Sequence, residues 1–373
     1  MKELQQILGR IDQMAPGERA VLATVVDVKG SGYRLAGARM LIDEDGKTIG
    51  GVSGGCLESD LIERTKNVLK DGRPIVVTYD TTKGADSVFG LRTGCRGVVR
   101  ISLEPAANNG LFEFIRTCFE RRETGVVAML ISRPNGLALP LASGSFWLEN
   151  EKFTNHTNED ELRAVLPRLR YDVATAMAER RSRSITYQTS AGDAEIFIEV
   201  IKPPTSILIF GAGNDAPPLC EFAKQLGWRV SVIDHRPAFA AKERFPDVDQ
   251  IIHSRPADLP DEFFADEESV AVVMSHNSEV DREALKRLLA SSCSYIGVLG
   301  PKQRTANLLE QLAADGVEVN KSMLSRLHAP VGLDIGATTP EGIALSIVAE
   351  IQAVLAERKG GFLKNRIKPI YDR

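Results

Sequence analysis

The chain has 373 residues, of which 43% are hydrophobic and 26% are charged. This length exceeds what one ordinary domain needs and is suited to two. The 46 basic and 50 acidic side chains leave a formal net charge of −4, which argues against nucleic acid as a main partner. The N-terminus lacks the apolar core of a signal peptide, and no apolar run is long enough to span a membrane, so we expect a cytoplasmic protein.

The first half of the chain mixes helical and strand-like patterns without a regular rhythm. Helical spacing of apolar residues predicts helices over residues 2–14, 111–122 and 159–181. Alternating or β-branched runs predict strands over residues 20–29, 38–43, 75–79, 98–104, 125–132, 136–141 and 145–148. These patterns favour an N-terminal α+β domain over residues 1–201, with a mixed, mostly antiparallel sheet and helices on one face.

A glycine-rich stretch leads into Cys56 and then into a helical pattern. Residues 50–58 read Gly-Gly-Val-Ser-Gly-Gly-Cys-Leu-Glu, and a second motif, Thr93-Gly94-Cys95-Arg96-Gly97, follows later. Glycines let backbone N–H groups approach a ligand closely, and the start of a helix attracts anions and favours a thiolate. The stretch suits an oxyanion, a phosphate-bearing cofactor or a reactive sulfur. On composition alone, a tight turn with a buried thiol is the simpler interpretation.

The other three cysteines are Cys118, Cys220 and Cys293. The five cysteines are widely spaced and form no Cys-x-x-Cys pair, so the sequence indicates neither a disulfide framework nor a zinc site. Cys118 and Cys220 lie within helical patterns, and Cys293 precedes a strand-like run. We therefore expect all three to be packing residues.

The two halves of the chain are separated by a short proline-containing segment. A strand-like run over residues 195–201 ends at Lys202-Pro203-Pro204-Thr205, and a second strand begins near residue 207. Further short apolar runs follow, separated by helical patterns, at residues 230–233, 250–252, 270–274 and 295–299. This alternation is typical of a doubly wound parallel sheet. We predict a Rossmann-like domain over residues 205–373.

The first strand of this second domain is followed by Gly211-Ala212-Gly213-Asn214-Asp215-Ala216, which has the form of a dinucleotide-binding fingerprint. Asp234 ends the next strand, where an acidic group would meet ribose hydroxyls, although an aspartate at a strand end also caps turns. An NAD(P)-dependent oxidoreductase is therefore a candidate function. Asp215 places a carboxylate in the phosphate loop, however, so we expect NAD and NADP to bind poorly.

Other polar residues follow later strands of the same predicted sheet. His276 follows the fourth strand, and Lys302 and Arg304 follow the fifth, so we expect them at the carboxyl edge, where open α/β sheets bind ligands. Lys302 and Arg304 could hold a phosphate there, and a solvated loop is the simpler alternative. For His276 the simpler alternative is a helix cap, and its position at this edge favours a functional role. His156, His253 and His328 show no partner pattern, and we expect them to be ordinary surface or packing residues.

Several motifs together resemble the xanthine dehydrogenase accessory proteins, the XdhC/CoxI family. They are the two cysteine motifs, the segment over residues 20–26 with Gly37-Ala38-Arg39-Met40, and the signature over residues 332–341, Gly-Leu-Asp-Ile-Gly-Ala-Thr-Thr-Pro-Glu. The resemblance runs over nearly the whole chain. The chain departs from the family at Arg96, where the second motif usually has glycine, and at Asn214, where a histidine is frequent.

The resemblance implies a protein that binds molybdenum cofactor and assists its sulfuration and insertion into an apo molybdenum hydroxylase. A cysteine desulfurase is an expected further partner, and a homodimer is the expected assembly. We expect the cofactor phosphate at backbone N–H groups of Ser53, Gly54 and Gly55. Cys56 and Cys95 would face the dithiolene or metal end, and Arg96 would pair with an oxo or phosphate group.

The candidate binding residues of the second half are Gly211, Gly213, Asp234, His276, Lys302 and Arg304. No catalytic residue is assigned. An oxidoreductase would need a catalytic pair that the sequence does not offer, and a transferase using Cys56 would need a general base near it. A binding and delivery role without turnover of its own therefore fits the sequence best.

Overall fold

The computed structural model describes residues 2–30, 32–82, 97–106, 110–132, 145–148, 154–155, 160–189, 192–264, 267–367 and 370. The chain divides into two compact units, Met1–Pro203 (unit 1) and Pro204–Arg373 (unit 2). The strand predicted over residues 136–141 lies outside the described residues. So do Cys95 and Arg96 of the second cysteine motif.

Unit 1 contains two five-stranded sheets. The strands of the first sheet are Ala20–Gly30 (β1), Arg39–Asp43 (β2), Thr48–Gly50 (β3), Ile75–Asp80 (β4) and Gly97–Pro105 (β5), in the order β3-β2-β1-β5-β4. The strands of the second sheet are Gly125–Ser132 (β6), Ser145–Leu148 (β7), Thr154–Asn155 (β8), Arg183–Thr189 (β9) and Gly192–Ile201 (β10), in the order β8-β7-β6-β10-β9. Every described strand pair is antiparallel.

Four helices lie within the described residues of unit 1, and they cover these sheets on both faces. They are Lys2–Asp12 (α1), Glu58–Asp71 (α2), Gly110–Arg121 (α3) and Asp160–Glu179 (α4). Side chains of α1 and α3 join those of β1, β6 and β10 in one core shared by both sheets. The outer face of the first sheet packs against α2, and that of the second sheet packs against α4. The antiparallel α+β character is confirmed, but the prediction of helices on one face is wrong, because apolar side chains project from both faces of the first sheet and each face packs against helices.

Helix α2 illustrates how local sequence produces these elements. Leu61, Thr65 and Val68 are buried at helical spacing, so one face of the helix meets the first sheet. The helix ends at Gly72, whose φ of 65° is the left-handed conformation that glycine adopts without strain.

Unit 2 contains a six-stranded parallel sheet. Its strands are Ser206–Phe210 (β11), Arg229–Ile233 (β12), Gln250–Ile252 (β13), Ser269–Val273 (β14), Tyr295–Val298 (β15) and Leu327–His328 (β16). Their order is β13-β12-β11-β14-β15-β16, and all pairs are parallel. Counted within the unit, this is the 3-2-1-4-5-6 order of a Rossmann fold. The predicted fold class is confirmed.

Helices cover both faces of this sheet. They are Ala216–Gln225 (α5), Ser278–Ala290 (α6), Lys302–Ala314 (α7), Lys321–Ser325 (α8) and Pro340–Leu355 (α9), with short 3₁₀ turns at Lys242–Arg244, Pro256–Asp258, Asp261–Phe264 and Leu363–Asn365. Ile207 and Ile209 point towards α5 and α9, whereas Leu208 and Phe210 point towards α6 and α7. Strands β11 and β14 are buried along their whole length, which explains their continuous apolar sequence.

Among the described residues, no helix combines the length and the apolar character needed to cross a membrane.

Candidate functional site

The first candidate site is the loop that joins β3 to α2 and carries Cys56. The chain leaves β3 at Gly50, whose φ is 83° and where a Cβ would lie 2.4 Å from the carbonyl oxygen of Arg39. Only glycine fits such an approach. The loop then runs over the exposed residues 54–56, and the buried Leu57 precedes the first turn of α2. The structure thus places the thiol at a helix start, as the sequence predicts.

The backbone of this loop is organised by Ser53 and Glu58. The Ser53 hydroxyl accepts hydrogen bonds from the N–H groups of Gly55 (3.2 Å) and Leu57 (3.1 Å). The Glu58 carboxylate accepts from the N–H groups of Ser53 (2.9 Å) and Leu57 (3.1 Å), and from the Ser53 hydroxyl. An internal carboxylate therefore stands where the sequence predicted the phosphate of a ligand.

The pKa of Glu58 agrees with this arrangement. Burial alone would raise it, but the hydrogen bonds from the Ser53 hydroxyl and from neighbouring backbone N–H groups outweigh burial and hold the pKa below its usual value. Glu58 therefore remains a carboxylate at neutral pH. Its negative charge lies at the start of α2, where the helix dipole favours an anion. No role for Glu58 was predicted from the sequence.

Cys56 differs from the other described cysteines. Its side chain is exposed, and its sulfur lies 3.5 Å from the Ser53 hydroxyl oxygen. Cys118, Cys220 and Cys293 are buried, which confirms their prediction as packing residues. Burial raises the pKa of the Cys118 and Cys220 thiols to about 12, so both stay protonated at neutral pH. Among the described cysteines, only Cys56 is placed to meet a ligand.

The second candidate site is the carboxyl edge of the parallel sheet in unit 2, beginning with the Gly211–Ala216 loop. Gly211 has a φ of 117°, and a Cβ there would lie 2.5 Å from the Cα of Ser275. The glycine thus allows the loop after β11 to touch the backbone after β14. Gly213 lies near His276: a Cβ built on Gly213 would be 3.7 Å from Cδ2 of the His276 imidazole. The predicted fingerprint and His276 are brought together.

Asp234 follows β12, as predicted, but its carboxylate is occupied by groups of the protein itself. It accepts from the backbone N–H of Ala212 (2.9 Å) and from the backbone N–H (2.9 Å), Nε (2.9 Å) and Nη2 (2.7 Å) of Arg236. Burial alone would raise the pKa of Asp234, but these hydrogen bonds outweigh it and hold the pKa below its usual value. A ribose would have to displace Arg236 to reach this carboxylate.

Two further side chains surround the fingerprint loop. The Arg244 guanidinium donates to the carbonyl oxygens of Ala212 (2.6 Å) and Gly213 (3.2 Å). The Asp215 carboxylate lies 3.5 Å from His276 Nε2 at the start of α5. His276 is 62% exposed and has a φ of 60°, which is uncommon outside glycine. The loop is therefore held by the protein's own charges, and Arg244 was not identified from the sequence.

Lys302 and Arg304 lie at the start of α7 but in different surroundings. Lys302 is exposed, and within the described ranges it takes part in no ion pair. Arg304 donates to the buried Asp281 at 2.6 Å, and Asp281 in turn accepts from Ser275. Arg304 thus positions the loop after β14, and Lys302 is the exposed cation at this edge.

A partly buried cluster near the loop after β16 was not predicted. Glu350 accepts hydrogen bonds from the Tyr295 hydroxyl and from the Gly332 backbone N–H (2.9 Å), and its carboxylate lies 3.7 Å from His328 Nδ1. The His328 ring stacks on Tyr295 with centroids 4.4 Å apart. His328 is therefore a packing residue, in agreement with the prediction, and its partners were not visible in the sequence. The three residues lie on β15, β16 and α9, too far apart in sequence to form a visible motif.

No group of three or more histidine, cysteine, aspartate or glutamate side chains is arranged to hold a metal within the part of the chain that the structure describes. The geometry thus defines a two-unit α/β protein with an exposed thiol on a glycine loop in unit 1 and a Rossmann-like unit 2.

Comparison with known proteins extends this description. The family described as "XdhC and CoxI family" matches residues 13–80, and the "XdhC Rossmann domain" matches residues 207–351. A probable xanthine dehydrogenase subunit of Bacillus subtilis (strain 168) is 32% identical over 336 residues, which are 90% of this chain and 92% of that protein. The "Molybdenum cofactor insertion chaperone PaoD" of Escherichia coli (strain K12) is 21% identical over 344 residues, 92% of this chain and 86% of that protein.

A solved structure also matches over nearly the full length. The crystal structure of a xanthine dehydrogenase from Bacillus halodurans is 30% identical, has a TM-score of 0.77, and covers 96% of this chain and 97% of that chain. The chain therefore belongs to the XdhC and CoxI family, and the family resemblance stated from its motifs is confirmed.

Proposed function

We propose that this protein is a maturation factor for a xanthine dehydrogenase-type molybdenum hydroxylase. It binds molybdenum cofactor and assists its sulfuration and its insertion into the apo-enzyme. Membership of the XdhC and CoxI family supports this role, as does the similarity to a protein named as a molybdenum cofactor insertion chaperone. Its partners are the apo-hydroxylase and a cysteine desulfurase.

The observation that carries the proposal is the placement of Cys56. A thiol that contacts a cofactor during its delivery must be exposed. Cys56 is exposed, whereas the other described cysteines are buried. Residues 54 and 55 beside it are exposed glycines, so this stretch of the loop carries no side chains of its own, and the Tyr33 ring lies 3.5 Å from a Cβ built on Gly54. Among the described residues of unit 1, this loop presents the exposed cysteine sulfur to a cofactor.

The residues present fit the metal end of molybdenum cofactor. Thiolate sulfur is a soft metal ligand, and Cys56, with Cys95 and Arg96 of the second motif, would hold that end. The cofactor supplies a molybdenum ion on a dithiolene when it is bound. The phosphate end does not fit the same loop, because the Glu58 carboxylate already accepts hydrogen bonds from the N–H groups of Ser53 and Leu57. We therefore assign no phosphate contact to Ser53, Gly54 or Gly55.

We expect Cys56→Ala to retain at least about tenfold less molybdenum cofactor than the unmodified protein. The change removes a sulfur that contacts the metal. Loss of a residue that only hydrogen-bonds to a metal ligand commonly lowers metal affinity by about tenfold or more, so loss of the sulfur itself should lower it at least as much. Retention is measured by incubating purified protein with the cofactor, separating the two by gel filtration, and detecting the pterin in the protein fraction.

Cys118→Ala is the matched control for this experiment. Its sulfur is buried in the core of unit 1, so the variant should lose about 1–2 kcal/mol of stability and keep its retention. Equal retention by Cys56→Ala and the unmodified protein would remove the thiol from the mechanism.

The second candidate, an NAD(P)-dependent oxidoreductase, rests on the fingerprint loop of unit 2. The contacts of that loop argue against this function. Arg236 already donates hydrogen bonds to the Asp234 carboxylate, which a ribose would need, and the Asp215 carboxylate lies at the start of α5, where it would repel a pyrophosphate. We expect dissociation constants of about 1 mM or weaker for NAD and NADP by titration calorimetry. The Asp215→Ala variant lacks the carboxylate that repels the pyrophosphate, so it should bind NAD and NADP more tightly than the unmodified protein does. Micromolar binding to the unmodified protein, with hydride transfer to a carbonyl compound, would favour the oxidoreductase.

A further inference from the structure

A cavity of about 240 Å³ in unit 1 is lined by α1, by the loop that joins β1 to β2, and by the end of β10. Three of its lining side chains are cations, Arg34, Arg39 and Lys202, and two are carboxylates, Glu3 and Glu199. We call it the Arg34 cavity. Because its lining carries more positive than negative charge, a small anion is the class of ligand that it favours.

The Arg39 and Glu199 side chains line the cavity as a buried ion pair. The Arg39 guanidinium donates to both Glu199 oxygens, and its Nε has no acceptor within the described residues. Ser182 also lines the cavity. Its Oγ accepts the Val200 N–H at 3.0 Å, which leaves its own O–H as a donor within the described part of the chain. Glu199 is thus neutralised by Arg39, and the lining keeps donors for an anion.

Arg34 is the more accessible of the two arginines in the cavity. Its Nη2 donates to the Glu3 carboxylate of α1, which is its ion-pair partner among the described residues. The Arg34 and Glu3 side chains are 30% and 40% exposed, so Glu3 has room to turn into solvent when an anion takes its place. A guanidinium presents its N–H donors as a fork that matches phosphate oxygens. Arg34 can therefore exchange an internal carboxylate for the phosphate of a ligand.

The Arg34 cavity adjoins the Cys56 loop. Tyr33 directly precedes Arg34, and three atoms of its ring lie 3.5, 3.5 and 3.6 Å from a Cβ built on Gly54. Consecutive Cα atoms are only about 3.8 Å apart, so these two residues connect the loop to the cavity. The Tyr33 side chain is also 62% exposed, and a flat aromatic ring is a suitable surface for a planar heterocycle.

We infer, on the basis of the proposed function, that the Arg34 cavity binds the phosphate end of the cofactor whose metal end meets Cys56. The Cys56 loop itself has its backbone N–H groups taken by the Glu58 carboxylate. A phosphate monoester carries a charge of about −1.5 to −2 at pH 7, so it competes well with the single charge of Glu3 for Arg34. Tyr33, which lies between Arg34 and the loop, contacts the planar part of the ligand.

Retention of the cofactor with and without its phosphate tests this site on the full-length protein. At limiting cofactor concentration, Arg34→Gln retains about tenfold less cofactor than the unmodified protein, because a hydrogen-bonded charge partner of the phosphate is lost. Cofactor from which a phosphatase has removed the phosphate is retained equally by both proteins. Glu3→Gln retains at least about threefold more of the intact cofactor, since the competing charge is gone. Such a gain cannot result from loss of folding.

Arg116→Gln is the matched control. Arg116 pairs with Asp12, which also lies on α1, and their side chains are 32% and 59% exposed, but neither residue lines the cavity. This variant keeps the retention of the unmodified protein, and circular dichroism checks that each variant is folded. The phosphate site is overturned if Arg34→Gln and Arg116→Gln behave alike, or if Arg34→Gln loses the phosphate-free cofactor as strongly as the intact one.

Inorganic phosphate distinguishes failure of this site from failure of the proposed function. In a phosphorus NMR titration of cofactor-free protein, Arg34→Gln binds inorganic phosphate about tenfold more weakly than the unmodified protein does. An unmodified protein that retains no cofactor would contradict the proposed function. Normal cofactor retention by Arg34→Gln would remove only the phosphate site. If that variant still bound inorganic phosphate more weakly, the cavity would belong to a phosphate ester other than the cofactor.

Discussion

Replacing Glu199 with alanine should lower the stability of unit 1 by about 3–5 kcal/mol. Glu199 lies on β10 in the second sheet and pairs with Arg39 on β2 in the first sheet. The side chains are only 4% and 5% exposed, and the pair is bidentate, with Nη1–Oε1 and Nη2–Oε2 distances of 2.7 and 2.5 Å. Removing the carboxylate would leave an uncompensated guanidinium in the interior.

The surroundings of Arg39 offer little replacement for the lost carboxylate. Its Nε is already buried without an acceptor among the described residues, and Nη1 also donates to the carbonyl oxygen of Gly37. Gly37 has a φ of 93°, and a Cβ there would lie 2.9 Å from Glu199 Oε1. Gly37 thus leaves the space that this carboxylate occupies.

Chemical denaturation with hydrogen exchange over β1, β2 and β10 measures the effect in unit 1. Glu63→Ala is the control, because its pair with Lys66 is exposed and should contribute less than about 1 kcal/mol. Arg39→Met with Glu199→Leu should recover most of the stability, since a buried ion pair often exchanges for apolar side chains at little cost. If Glu199→Ala and Glu63→Ala had similar effects, the pair would not stabilise the unit.

The fold of unit 2 was predictable because its signals are local. Strands that are buried on both faces need continuous apolar runs, and the turns between strands and helices need glycine, proline and capping residues. Thr339 caps α9 and Asn277 caps α6 in this way. Each of these features lies within a few residues of the element that it starts or ends, so the sequence alone reveals it.

The long-range contacts of unit 1 and the internal contacts of the Cys56 loop were not predictable in the same way. Arg39 and Glu199 are 160 positions apart, and no spacing rule joins them. The division of unit 1 into two sheets likewise depends on which strands pair at long range. Glu58 is close in sequence to Ser53, yet its use as an internal anion depends on the fold of the loop. In the sequence, a side chain that hydrogen-bonds to groups of its own loop cannot be distinguished from one that is free to bind a ligand.

The second large effect concerns Gly211, where alanine should destabilise unit 2 by about 4 kcal/mol or more. Alanine at a φ of 117° is strained, and its Cβ would lie 2.5 Å from Ser275 Cα and 2.6 Å from Ser275 N. Those atoms cannot move aside easily. Met274 N–H donates to the Phe210 carbonyl oxygen at 2.8 Å, and Ser275 N–H donates to the buried Asp281.

Urea denaturation of a Trp147→Phe background, followed by fluorescence, measures this effect, because the remaining tryptophan, Trp228, is buried in the core of unit 2. Gly213→Ala is the matched control in the same loop. Its φ lies outside the left-handed range, and its Cβ would meet His276 at an ordinary 3.7 Å, so it should change stability by less than about 1 kcal/mol. Similar unfolding midpoints for the two variants would show that the close approach of the loop to Ser275 does not limit the residue at position 211.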